Sequence, residues 1–235
     1  MSNTLKQFNI LSFPVFWIFF LCILFNGCHF KTPYVDPEKY DRTIRVACIG
    51  DSITWGDGIE EREIYCYPNV LNNLLGQRFE VKNFGVSGAT LLKHGDFPYW
   101  NTEAFTQAQE YNPDVVIIML GTNDSKPQNW KYSEEFRTDL ISLIVKFRYL
   151  ASEPQVWLCT PCPVYGDGQW GITPKTVQNQ IIPIIRQVAD EYETPLIDIF
   201  SALNHQSELF PDLVHPNAKG AELIARTISG AMIGI

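Results

Sequence analysis

The run Asp-Val-Val-Ile-Ile-Met-Leu-Gly at 114–121 constrains the fold most tightly. It is short, rich in β-branched residues and apolar at almost every position. A strand with no polar face must be covered on both sides, which is the environment of a parallel sheet between helical layers. Other strand-like runs lie at 43–50, 78–85, 155–160 and 195–199. Helical patterns separate several of them: 68–75 closed by Gly76, 133–150 with Ser133 at its start, 173–192, and 216–232 at the end. Pro174 suits the first turn of its helix, whereas Pro183 is expected to bend it. Strands alternating with helices predict an α/β fold, a three-layer α/β/α sandwich around a five-stranded parallel sheet, flavodoxin-like in outline.

The chain has 235 residues, 46% of them hydrophobic and 19% charged. That supplies a real core and argues against disorder. A net charge of −8 makes nucleic acid a poor partner. No internal repeat or interdomain linker interrupts 43–235, which reads as one catalytic domain.

The beginning is different in kind. Residues 1–27 carry Lys6 and no acidic residue, and the stretch 10–25 is almost wholly apolar before Asn26-Gly27-Cys28. This is the layout of an export signal of lipoprotein type. On this reading Cys28 carries lipid, and the protein is exported and held by a lipid anchor at a membrane, facing the periplasm or cell surface. Phe25 and Asn26 depart from the usual lipobox. Two other readings stay open, an ordinary cleaved signal and an uncleaved anchor; the apolar stretch is shorter than the ~20 residues of a spanning helix and contains Pro14. Residues 28–42, with Pro33 and Pro37, read as a tether.

In a parallel α/β sheet the ligand site lies beyond the carboxyl ends of the strands. The loops there are polar: Gly50-Asp51-Ser52-Ile53, Asn83-Phe84-Gly85-Val86-Ser87-Gly88, Gly121-Thr122-Asn123-Asp124, and Asp212-Leu213-Val214-His215 before the last helix. Ser52 sits at a sharp strand-to-helix turn, where it is either a helix cap or an exposed nucleophile. Asp212 and His215 are spaced so that a short turn brings carboxylate to imidazole, which then takes a proton from Ser52. The Gly85 N–H and the Asn123 amide are candidate oxyanion donors. Asp51 and Asp124 read as turn supports, and Ser87 as structural, because Gly-Val-Ser-Gly is not a G-x-S-x-G elbow.

Together the four blocks resemble the GDSL or SGNH hydrolase superfamily. They occur in its order and span nearly the whole domain, with Ile53 where the family name has leucine. The resemblance implies an SGNH hydrolase fold and a serine esterase needing no metal or cofactor. It implies Ser52 as nucleophile, His215 as base, Asp212 as its orienter, and an oxyanion hole of the Ser52 and Gly85 N–H groups with Asn123. Combined with the export signal, it suggests removal of acetyl groups from small-molecule or oligosaccharide esters, such as sialic acid or plant polysaccharide sugars. A lysophospholipase or thioesterase is the enzymatic alternative, and a sugar-binding lipoprotein the non-enzymatic one. No Leu/Ile-rich lid for a long acyl chain is evident.

Four tryptophans, Trp55, Trp100, Trp130 and Trp170, fall just after strand exits or in the loops that follow. They are expected to offer flat faces to a sugar, with loop packing as the competing role. Cys159-Thr160-Pro161-Cys162 lacks the second pair a zinc site needs. Cys48 reads as a small buried apolar residue. Cys66 reads as a loop residue open to disulfide pairing.

Overall fold

The structure, a computed structural model, describes residues 34–234. The export signal and Cys28 lie outside the described residues. In chain order the main elements are β1 (Ile44–Gly50), α1 (Ser52–Trp55), α2 (Arg62–Tyr65), α3 (Tyr67–Leu75), β2 (Phe79–Gly85), α4 (Glu103–Glu110) and β3 (Val115–Met119). They continue with α5 (Pro127–Trp130), α6 (Ser133–Arg148), β4 (Gln155–Cys159), α7 (Pro174–Thr176), α8 (Ile182–Glu191), β5 (Leu196–Ile197), α9 (Ile199–Leu203) and α10 (Ala218–Ile233).

Among the described residues the five strands form one sheet in the order β2-β1-β3-β4-β5, and every pairing is parallel. Side chains alternate across it, as the two-residue period of a strand dictates. Val46, Cys48, Val115, Ile117 and Trp157 face a core closed by α3, α9 and α10. Ala47, Ile49, Val116, Ile118 and Leu158 face a second core closed by α4, α6 and α8. All five residues of β3 are buried, as its unbroken apolar run requires. The three-layer sandwich expected from the sequence is the observed architecture.

Several local features differ from expectation. β5 is only Leu196–Ile197, because Asp198 turns the chain into α9 by accepting the Ser201 N–H at its N-cap. The helix between β2 and β3, α4, is not among the helical runs expected from the sequence; Thr102 caps it by accepting the Phe105 N–H. The helix read at 173–192 is broken into α7, a π-helical turn at Val177–Ile181, and α8. Pro183 lies in the first turn of α8, and lacking an N–H it cannot continue the preceding hydrogen-bond ladder.

The tether reading fails over 34–42. Val35 is fully buried, and its N–H donates to the Met232 carbonyl at 2.7 Å. Arg78 donates to the carbonyls of Pro37 (2.6 Å) and Tyr40 (2.9 Å). Arg42 grips the buried Asp114 through both guanidinium nitrogens, each at 2.7 Å. These residues belong to the folded domain because their backbone groups are spent on it. Composition gave no sign of those long-range partners.

Candidate active site

The four polar loops meet at the carboxyl end of the sheet. β1 ends at Gly50, and Asp51 caps the next helix, its Oδ1 accepting the Ile53 N–H at 3.0 Å. Ser52 is therefore the first residue of α1, so its own N–H is left without an intrahelical acceptor. The helix ends after one turn at Gly56, in the left-handed conformation at φ 100°.

α1 lies tightly against the end of β2. A Cβ at Gly85 would stand 2.3 Å from the Trp55 amide nitrogen, so only glycine fits. Asn83 locks the approach: its Nδ2 donates to the Thr54 carbonyl at 2.8 Å, and its Oδ1 accepts the Gly85 N–H at 2.9 Å. The role of Asn83 depends on the packing of α1 against β2, which its sequence neighbours do not show.

The Asp212–His215 turn closes the site from α10's side. Asp212 Oδ1 accepts the N–H groups of Val214 (3.0 Å) and His215 (2.6 Å), with Leu213 left-handed at φ 70°. That geometry presents Asp212 Oδ2 to His215 Nδ1 at 2.8 Å, while His215 Nε2 meets Ser52 Oγ at 2.8 Å. The consistent assignment has Nδ1–H donating to the carboxylate and the serine hydroxyl donating to Nε2. Burial pushes the Asp212 carboxyl up. The bonds from the His215 backbone, the His215 ring and Val214 outweigh it and hold the group below the usual carboxylate range.

Asn123 is 3% exposed and donates from Nδ2 to the Ala89 carbonyl at 3.2 Å, leaving its other amide hydrogen free. Asp124, expected as a local turn support, reaches further. Its two oxygens accept the Leu91 (3.0 Å) and Leu92 (2.7 Å) N–H groups, clasping the β2 loop to the β3 loop. Burial pushes its pKa up to about 7, against the pull of those two donors. Asp51 is also fully enclosed, and burial raises it to about 6 despite the Ile53 N–H.

Gly85 does not serve as the expected oxyanion donor in this geometry, because its N–H is spent on Asn83. Three residues on, Gly88 carries no hydrogen bond on its N–H among the described residues. It occupies the third position of a turn closed by Ala89 N–H to Val86 O at 3.1 Å, with φ 80°. The Asn123 amide bonds to the very next residue, which brings Gly88 and Asn123 together. Gly88 was legible as the glycine that a turn needs at positive φ; that its N–H, and not that of Gly85, is free required the structure.

The tryptophans separate into two groups. Trp170 is 58% exposed, at φ 52°, and its ring centre lies 5.1 Å from that of His215. Trp55 is also exposed, but the Arg62 guanidinium covers its ring at 3.8 Å. Trp100 and Trp130 are docked on the core instead. Their Nε1 groups donate to Leu91 O and Gln180 Oε1, each at 2.7 Å, and their rings meet Phe105 and Phe136 edge-on. Among the described residues no group of three or more His, Cys, Asp or Glu is placed to hold a metal. Cys48, Cys159 and Cys162 are buried and free, and burial pushes their thiols up. Cys66, expected on an open loop, is fully buried at the start of α3 and unpaired.

Residues 48–223, which hold all four loops, match the family model described as GDSL-like Lipase/Acylhydrolase. The chain belongs to this family. It is 42% identical over 214 residues to an acetylxylan esterase of Xylanibacter ruminicola, an alignment covering 83% of this chain. It spans 44% of that relative's length. Among solved structures, a putative arylesterase from Agrobacterium tumefaciens superposes with a TM-score of 0.66 at 23% identity, covering 80% of this chain and 97% of the other. An acetylxylan esterase from Geobacillus stearothermophilus superposes with a TM-score of 0.63 at 22% identity, covering 81% and 94%. Both likenesses establish the fold of this GDSL-like chain.

Proposed function

We propose that the chain is a serine esterase that removes acetyl groups from carbohydrates. The observation that carries the reaction class is the continuous hydrogen-bond chain from Ser52 through His215 to Asp212, with both side-chain links at 2.8 Å. Ser52 Oγ attacks the acetyl carbonyl as its proton passes to His215 Nε2. The carbonyl oxygen becomes an oxyanion facing the Ser52 N–H, the Gly88 N–H and the free Asn123 amide hydrogen. The imidazolium is held by Asp212 and returns the proton to the departing sugar oxygen, leaving an acetyl-enzyme. Water then attacks the acetyl carbon and gives a proton to His215; Ser52 recovers its proton and acetate leaves.

The substrate side rests on two supports. The Xylanibacter relative is named an acetylxylan esterase. The exposed Trp170 ring beside His215 offers an apolar face where the alcohol part of an ester would lie. Trp170→Ala is expected to lower kcat/KM for acetylated xylo-oligosaccharides by about 5–30-fold and for a small aryl acetate by much less, since stacking is remote from the scissile bond. Acetate release from both substrates measures it. Equal losses on both would make Trp170 a packing residue, and faster cleavage of octanoyl than acetyl esters would favour a lysophospholipase or thioesterase.

The export reading is proposed alongside: the chain is a lipoprotein anchored through Cys28. Cys28→Ser is expected to abolish lipid labelling and either release the protein from membranes or leave its precursor uncleaved. Fractionation with labelled fatty acid checks this, and unchanged anchoring would support the uncleaved segment instead.

A further inference from the structure

We propose that Asp57 and Ser87 form a positioning pair that aims the Gly88 N–H at the oxyanion; the proposal rests on reading Ser52, Gly88 and Asn123 as the oxyanion donors. Ser87 Oγ donates to Asp57 Oδ2 at 2.5 Å. The two residues lie on different loops, and the bond joins the nucleophile's loop to the oxyanion turn.

Each end of the pair is attached to a reacting group. Asp57 follows α1 and donates its N–H to the Ser52 carbonyl at 3.0 Å. Its neighbour Gly58 approaches the base: a Cβ there would lie 4.0 Å from His215 Cβ. Ser87 is the second residue of the turn Val86–Ala89, and Gly88 is the third. The ends of this turn are tied, Val86 N–H to the Gly50 carbonyl at 3.0 Å and the Ala89 carbonyl to Asn123 at 3.2 Å. Its middle peptide, the one that carries the Gly88 N–H, has no backbone bond to fix its plane. A glycine on one side of that peptide makes rotation easy. The Ser87 hydroxyl supplies the missing restraint, through its bond to the Asp57 carboxyl oxygen.

Orientation matters here because an oxyanion donor acts only at about 2.7–3.1 Å from where the charge develops. A donor free to rotate spends part of its time elsewhere, and the loss appears in the transition state alone. The pair does not touch the substrate; it sets the angle of a group that does.

The test uses the full chain and a small aryl acetate. Ser87→Ala and Asp57→Ala are each expected to lower kcat by about five- to tenfold with KM unchanged, the size set by a single water-exposed, charge-assisted bond. The double variant should be no slower than either single one, since both remove the same bond. Asp57→Asn and Ser87→Thr keep an acceptor and a hydroxyl respectively, and should restore most of the turnover. Melting temperatures should match the parent. Wild-type kcat in Ser87→Ala, additive losses in the double variant, or Asp57→Asn as slow as Asp57→Ala would each overturn the proposal. So would an effect confined to KM for acetylated sugars, which would make the pair a sugar subsite. Asn123→Ala run in parallel separates the two levels. If it is slow and Ser87→Ala is not, only the positioning role fails; if neither is slow, the oxyanion reading fails with it.

Discussion

Ser52→Ala is expected to lower acetyl-ester turnover by about 10⁴-fold or more, as loss of a triad member does in serine hydrolases. The serine is 6% exposed, and the one side-chain bond of its hydroxyl is to His215 Nε2. Removing the oxygen takes away the hydroxyl that His215 faces, while α1 keeps its Asp51 cap and its Asn83 clamp. The fold should therefore persist with an unchanged melting temperature. Loss of labelling by a serine-directed phosphonate should accompany the loss of rate. A variant retaining a tenth of wild-type kcat would show that Ser52 is not the nucleophile.

Asn123→Ala is expected to lower kcat by about 10²–10³-fold with KM little changed. The charge that the amide meets exists only in the transition state, so ground-state binding gains little from it. The side chain is buried and also donates to Ala89 O, so the substitution strands one carbonyl. An unsatisfied buried acceptor costs about 1–3 kcal/mol, a loss of stability visible as a lower melting temperature. The two effects separate by experiment, because kinetics are read well below melting. A rise in KM at constant kcat would assign Asn123 to substrate binding instead.

Different parts of the site were readable to different degrees. Asp212 and His215 are three residues apart, so one local turn decides whether carboxylate meets imidazole, and their spacing carries that information. Ser52 was readable as a turn residue, but whether it capped a helix or served a base depended on His215, 163 positions later. Gly85 illustrates the opposite case. A glycine was needed there, but for the close approach of α1 rather than for an exposed N–H. Its hydrogen is consumed by Asn83, two residues before it, whose amide nitrogen also clamps the Thr54 carbonyl.

The tryptophans show the same limit. All four lie after strand exits or in the loops that follow, and that placement alone does not distinguish them. Trp100 and Trp130 are drawn onto the core by partners at Leu91 and Gln180, whereas Trp170 sits on a glycine-rich loop and stays exposed against His215. Asp124 likewise looked local and proved to join two loops.

The alternation of strands and helices, the burial of β3 on both faces and the four polar loops were all legible from the sequence. These follow from short-range patterns: apolar period, capping residues and turn glycines act within a few positions of themselves. Only packing across the layers decided that 34–42 is packed rather than free, that Gly88 and not Gly85 keeps an unspent N–H, and that Trp170 is the tryptophan against His215. Each of these depends on whether a donor, carbonyl or ring has found a partner, and for 34–42 and for Trp170 that partner lies in a distant part of the chain. Such pairing is a property of the packed layers, because a hydrogen-bonding group is available for chemistry only where packing has left it unsatisfied.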